Sequence, residues 1–143
     1  MKPGPRQTAL LSALLVSWKK TPFVNGGVSL ETGIDSPRFA ILILESVGVP
    51  KLPFGGPWRA GDGRLSDKVR ECFPNLTSTP EPGDLMFILV SESSGRFVTF
   101  YLGNQACLGN DGSRPGFRIF QCERYVRERG WTNAIEYRRV DYP

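Results

Sequence analysis

The chain has 143 residues, 40% of them hydrophobic, with 16 Gly, 12 Pro, three Cys and a formal net charge of +4. That length holds one core of ordinary size, and so much Gly and Pro excludes a plain helical bundle in favour of a loop-rich globule. There is no histidine, which removes the commonest general base, the usual partner of Ser and Cys nucleophiles, and the commonest metal ligand.

The N-terminal stretch "MKPGPRQTALLSALLVSWKK" has the early charge and apolar centre of a signal peptide. Lys19 and Lys20 follow directly, however, and no small-x-small cleavage site precedes them. Leu10, Leu14 and Trp18 recur at four-residue spacing with Leu11 and Leu15 beside them, one face of an amphipathic helix. The run is too short to span a membrane. The expectation is a core-packing first helix and no targeting segment.

A Gly-rich loop, "TPFVNGGVSLETGID", leads to a helix expected from about Pro37 to Val47. Its apolar residues (Phe39, Ala40, Ile41, Leu42, Ile43, Leu44, Val47) leave a narrow polar stripe, so it should be buried nearly all round. Ser36 supplies an N-cap, Pro37 suits the first helical position, and Gly48 is a natural stop. Next, "VPKLPFGGPWRAGDG" reads as loop and "LSDKVRECF" as a short helix with Ser66 as its cap. From "STPEPGD" onward the pattern turns to strands: "LMFILV", "RFVTFYLGN", "QACLG" and "GFRIFQC", with a tight turn at Gly103-Asn104. In "TNAIEYRRV", Ile135 and Tyr137 share one face and Glu136 and Arg138 the other. Arg139 and Val140 then break the alternation. Helices followed by short antiparallel strands imply an α+β fold with about five strands.

Residues 114 to 143 hold seven Arg (114, 118, 124, 127, 129, 138, 139) against four acids. This is either a solvated basic face or a contact surface for an acidic partner, and no pattern specific to nucleic-acid binding accompanies it. Cys72, Cys107 and Cys122 make neither a disulfide framework nor a zinc pair, so free thiols are expected. The glycine stretches lack phosphate-binding spacing, and Asp84 in "PGDL" reads as a turn residue.

Four blocks in order, "SWKKTPF…GG", "GIDSPRF", "PGDLMFI" and "VTFYLGN", resemble the NlpC/p60-type cell-wall peptidases, which share a papain-like core. The family pattern runs W-x-x-T-P-Y, then D-C before a buried helix, then P-G-D-L-x-F-F, then H-V-G-I-Y-L-G-N. The likeness covers roughly residues 8 to 110. The long gap after "TPF" is closest to the small single-domain versions encoded by tailed phages and gene-transfer agents. The resemblance implies a single domain over residues 1–143 and an ancestral cut in peptide stems of bacterial cell wall. It also implies a Cys nucleophile at the helix start, a His base on the second strand, a polar orienting residue on the next strand, and an assisting Tyr. Those positions fall on Ser36, Phe97, Leu108 or Gly109, and Asn25, and none keeps the family's residue.

A serine hydroxyl needs a base, and no Lys or carboxylate stands at a matching position. Capping accounts for Ser36 and Pro37 without chemistry, and Asp35 reads as turn chemistry beside them. As substitute nucleophiles, Cys107 reads as a small core residue and Cys122 as a partly exposed thiol at a strand end. Phe97 and Leu108 favour a cleft collapsed around apolar side chains. The expectation is a catalytically inactive NlpC-like domain serving as a structural or adaptor part of a phage tail or baseplate. It would be made in the host cytoplasm, placed in the virion and contacted by other tail proteins, with no cofactor, metal, nucleic acid or membrane. The alternatives are an active peptidoglycan hydrolase with a rearranged site and a binder of cell-wall peptides that does not cut.

Overall fold

The computed structural model describes residues 4–18, 28–29, 33–34, 36–50, 52, 64–91, 95–109, 118–128 and 135–143. Four helices, α1 (Pro5–Trp18), α2 (Ser36–Ser46), α3 (Arg64–Glu71) and α4 (Cys122–Glu128), accompany seven strands. A two-stranded ribbon joins β1 (Val28–Ser29) to β2 (Gly33–Ile34). The main sheet contains β3 (Leu85–Ser91), β4 (Gly95–Gly103), β5 (Ala106–Gly109), β6 (Arg118–Gln121) and β7 (Ile135–Arg138) in the order β6-β5-β4-β3-β7, all antiparallel. The architecture is α+β.

Strand alternation gives the sheet two apolar faces. Leu85 and Phe87 of β3, Val98 and Phe100 of β4 and Leu108 of β5 share a core with Ala13, Phe39, Ala40, Ile43, Leu44 and Val69 of α1–α3. Met86, Ile88, Tyr101 and Cys107 share the other core with Cys122, Tyr125 and Val126 of α4. Three helices therefore cover one face and α4 the other.

Of the signals expected around α2, the stop at Gly48 acts as read, and the helix begins one residue ahead of the expected Pro37. The helix starts at Ser36 and ends at Gly48, whose φ is +95°. The Gly48 N–H donates to Glu45 O at 3.2 Å and the Val49 N–H to Leu44 O at 3.1 Å, the paired bonds of a Schellman stop. Leu42 remains 37% exposed, so α2 is not buried all round. Between β4 and β5, Asn104 and Gln105 have φ of 50° and 60°, the left-handed pair that a two-residue hairpin turn of the primed type requires.

Three expectations change. In α1 the inward residues are Ala9 and Ala13, both fully buried, while Leu11 and Leu15 are 51% and 62% exposed. Small residues face the core because α1 packs closely on α2. α3 begins at Arg64, so Ser66 is no cap but a buried residue within the first turn. Cys122 is fully buried and opens α4, an element read beforehand as the end of a strand. The broken alternation after Tyr137 resolves because β7 stops at Arg138, which frees Val140 to turn into the helical-side core.

The turn before β3 is built on Asp84, which is fully buried. Its Oδ1 accepts from Arg6 Nη1 of α1 and from the Val140 N–H at 3.1 Å. Its Oδ2 accepts from the Glu81 N–H at 2.8 Å and Arg139 Nε at 3.0 Å. One carboxylate thus ties α1, the 81–84 turn and the segment after β7 together, a far larger role than a turn residue has.

Candidate functional site

α2 lies on the sheet through Phe39, Ala40, Ile43 and Leu44, against Val98 and Phe100 of β4 and Leu108 of β5. The structure places Ser36 at the first position of α2, Phe97 in β4 paired with Ile88 of β3, and Leu108 and Gly109 in β5. Asn25 and Asp35 lie outside the described residues, as do the side chains of Ser36 and Phe97, so the capping bond and the filling of the cleft by Phe97 fall outside them too.

The β5 positions are fully determined. Leu108 is buried with 0% exposure in the core under α2. At Gly109 an added Cβ would stand 2.7 Å from two ring carbons of Tyr125 and 2.9 Å from its hydroxyl oxygen. The Tyr125 ring occupies the space a side chain would need, and Tyr125 is itself 1% exposed. Whichever residue is aligned with the orienting position, no polar side chain projects from it. The neighbouring polar group, Thr99 Oγ1, donates to Leu108 O across the strand pair. It is buried and satisfied by the backbone.

The cysteines stand apart from the start of α2. Cys72 is exposed just beyond α3, and burial is the main effect raising its thiol pKa. Cys107 is the small core residue expected. Cys122 is hydrogen-bonded to Cys107, the largest influence lowering its thiol pKa, and Tyr137 adds to that lowering. Burial pushes the Tyr137 phenol well above its ordinary value.

Elsewhere, a cavity of about 500 Å³ opens between Gln7 at the start of α1, Pro82 of the turn, and Asp141 and Tyr142. The Arg6 guanidinium on its wall is engaged by Glu81 at 3.1 Å and by Asp84. Separately, Arg70 of α3 and Arg138 of β7 clamp Glu136, with 2.8 Å contacts from Arg70 Nη2 and Arg138 Nη2 to Glu136 Oε1. The Arg70 hydrogen bond, seconded by Arg138, lowers the Glu136 carboxyl to about 2. Arg138 also donates to Phe73 O at 2.9 Å. Both groupings join elements of the fold. Among the described residues, no three Cys, Asp or Glu side chains gather into a metal-binding set, and no helix is long and apolar enough to cross a membrane.

With this geometry established, the solved structures include a chain of the same shape. The NlpC/p60 domain of peptidoglycan hydrolase SagA superposes with a TM-score of 0.60 at 16% identity, covering 92% of this chain and 97% of that one. The fold is of the NlpC/p60 type. That is the fold the four sequence blocks implied. No family model matches the sequence, and no curated protein matches it. The NlpC/p60 likeness concerns backbone shape. The blocks that supply shape, the "SPRF" helix start and "PGDLMFI", sit where the fold uses them.

Two residues of structural weight escaped the sequence reading. Tyr125 was hidden because α4 was not expected, although Cys122, Tyr125 and Val126 have the i, i+3, i+4 spacing of a helical face. Asp84 carried no local sign of its four partners.

Proposed function

We propose that this chain is a catalytically silent NlpC/p60-fold domain serving as a structural or adaptor component of a phage tail or baseplate. The observation that carries the reading is the residue set at the family's chemical positions. Ser36 opens α2, Phe97 lies within β4, and Leu108 and Gly109 offer no polar group, in a chain without histidine. Acyl transfer by this family needs a thiolate and an imidazole to move its proton. A serine hydroxyl needs a base to become a nucleophile, and none stands at the matching position of the sequence. The spacing between "TPF" and "DSPRF" supports the tail assignment, since it is that of small phage and gene-transfer-agent versions.

The test is incubation of the purified protein with peptidoglycan sacculi, followed by chromatography of soluble peptides. No release is expected from the wild type or from Ser36→Cys, which restores the thiol without the base. Release that disappears in Ser36→Ala would overturn the silent-domain reading. Mass spectrometry of purified tail particles tests the assembly role, and absence of the chain from them would overturn that part. Likeness to a domain of a peptidoglycan hydrolase favours a second reading, a binder of cell-wall peptides. Co-sedimentation with sacculi without release would select it.

A further inference from the structure

We propose that Cys107 and Cys122 form an oxidisable pair that closes an intramolecular disulfide, fastening α4 to the β5–β6 hairpin when the protein meets a thiol–disulfide oxidant. The placement begins in the sheet register. Cys107 pairs with Phe120 and Ala106 with Gln121, and the ladder continues where the Cys122 N–H donates to Gln105 O at 2.7 Å. Cys122 is therefore two positions beyond the partner of Cys107, a diagonal neighbour on the same face, at the residue where the chain turns from β6 into α4. Both residues are fully buried in one cluster with Tyr101 and Tyr125, and Cys107 is the largest influence on the Cys122 thiol. Cys72 packs with neither, since α3 covers the opposite face. Two small apolar residues would fill this space as well, but they would not place two thiols in one buried cluster. Cys122 opens α4, so lifting that helix exposes its sulfur first and makes it the attacking group.

The exchange balances as follows. With α4 lifted, the Cys122 thiolate attacks one sulfur of a small disulfide such as oxidised glutathione, and a glutathione thiolate leaves. Cys107, after losing its proton to solvent, attacks Cys122 Sγ in the mixed disulfide and expels the second glutathione thiolate. The protein pair is oxidised by two electrons, and the reagent is reduced to two thiols. Lifting is a local opening of a seven-residue helix held by Cys122, Tyr125 and Val126. Nothing in this step depends on the functional reading above.

The experiment incubates the full chain with oxidised glutathione and maps tryptic peptides without reduction. Cleavage after Arg118 separates the two cysteines. The expected product is the Cys107 peptide linked to the Cys122 peptide, with the intact mass lower by two hydrogens. The thermal midpoint should rise by roughly 10 °C for a loop of about 15 residues, and dithiothreitol should reverse the rise. Separate or singly glutathionylated Cys107 and Cys122, or a bridge to Cys72, would overturn the proposal. A bridge with an unchanged midpoint would overturn the fastening of α4. Cys72→Ser should leave the linked peptide in place, while Cys122→Ser should abolish it. If Cys122→Ser does not fold, the wild-type map decides alone.

Discussion

Replacing Asp84 by Asn tests the reading of the 81–84 turn most sharply. The substitution keeps the shape and removes the charge. Asp84 is fully buried and accepts four hydrogen bonds, two from guanidinium groups and two from backbone N–H groups. An amide has one accepting oxygen and one donating nitrogen. Whichever way it turns, two donors face a donor. If Nδ2 takes the Oδ1 place it opposes Arg6 and Val140, and if it takes the Oδ2 place it opposes Glu81 and Arg139. The two arginines are then left with Glu81, at 3.1 Å from Arg6 and 3.9 Å from Arg139. Glu81 is 54% exposed, so its attraction is weak in water. Breaking one partner of a buried ion pair costs roughly 3–5 kcal/mol, a large share of the ~5–15 kcal/mol that holds a domain folded. Urea denaturation with matched slopes for wild type and variant should show that loss, and the thermal midpoint should fall by roughly 10–20 °C. Arg139→Gln should cost less because Arg6 remains, and the double variant should lose less than the sum of the two. A loss below about 1 kcal/mol in Asp84→Asn would refute the idea that this carboxylate ties the three segments together.

Glu136 should give the fold an acid sensitivity. Its carboxyl is lowered from the ordinary 4.5 to about 2 by Arg70 and Arg138. The associated stability is therefore complete above pH ~4.5 and lost as pH falls from there through about 2, amounting to roughly 2–3 kcal/mol. Glu136→Gln should flatten the stability profile in that window, and an unchanged slope would count against the clamp. Gly109→Ala pushes a methyl group into the Tyr125 ring and should cost roughly 1–3 kcal/mol by overpacking. Near-UV circular dichroism should register the displaced tyrosine, and a silent substitution would mean the ring moves freely. Ser36→Ala should cost about 1 kcal/mol in thermal or urea unfolding through loss of the helix cap, and no loss would remove capping as the explanation of this residue.

Local signals gave accurate expectations where the physics is local. The start of α2 near Pro37 and its stop at Gly48 follow from the conformations that single residues favour, while the hairpin turn falls at Asn104-Gln105, one residue past the expected Gly103-Asn104. The strands were visible in runs such as "LMFILV", because a sheet covered on both faces needs apolar residues at successive positions. Leu11 and Leu15 misled because periodicity finds the leucine stripe, whereas close helix packing selects the alanines one turn apart. Asp84 was illegible for a different reason: Arg139 and Arg6 lie 55 and 78 positions away, and nothing near "PGDL" announces them. At the candidate site, the identities of Ser36, Phe97, Leu108 and Gly109 were plain beforehand. What the sequence did not contain was the ring of Tyr125 standing over Gly109, since that depends on an unforeseen helix.

The position of β7 has a consequence for synthesis on the ribosome. β7 is the last strand in the chain, yet it lies beside β3, the first strand of the main sheet. Some fifty residues separate the starts of the two strands, so at about 5–20 residues per second translation of that interval takes roughly 3–10 seconds. During that time the nascent chain carries Leu85, Met86, Phe87 and Ile88 on a strand whose outer hydrogen-bonding edge has no partner. Such an edge invites pairing between neighbouring nascent chains on one message. Slowing translation after β3 has emerged from the ribosome and before β7 has emerged should therefore lower soluble yield.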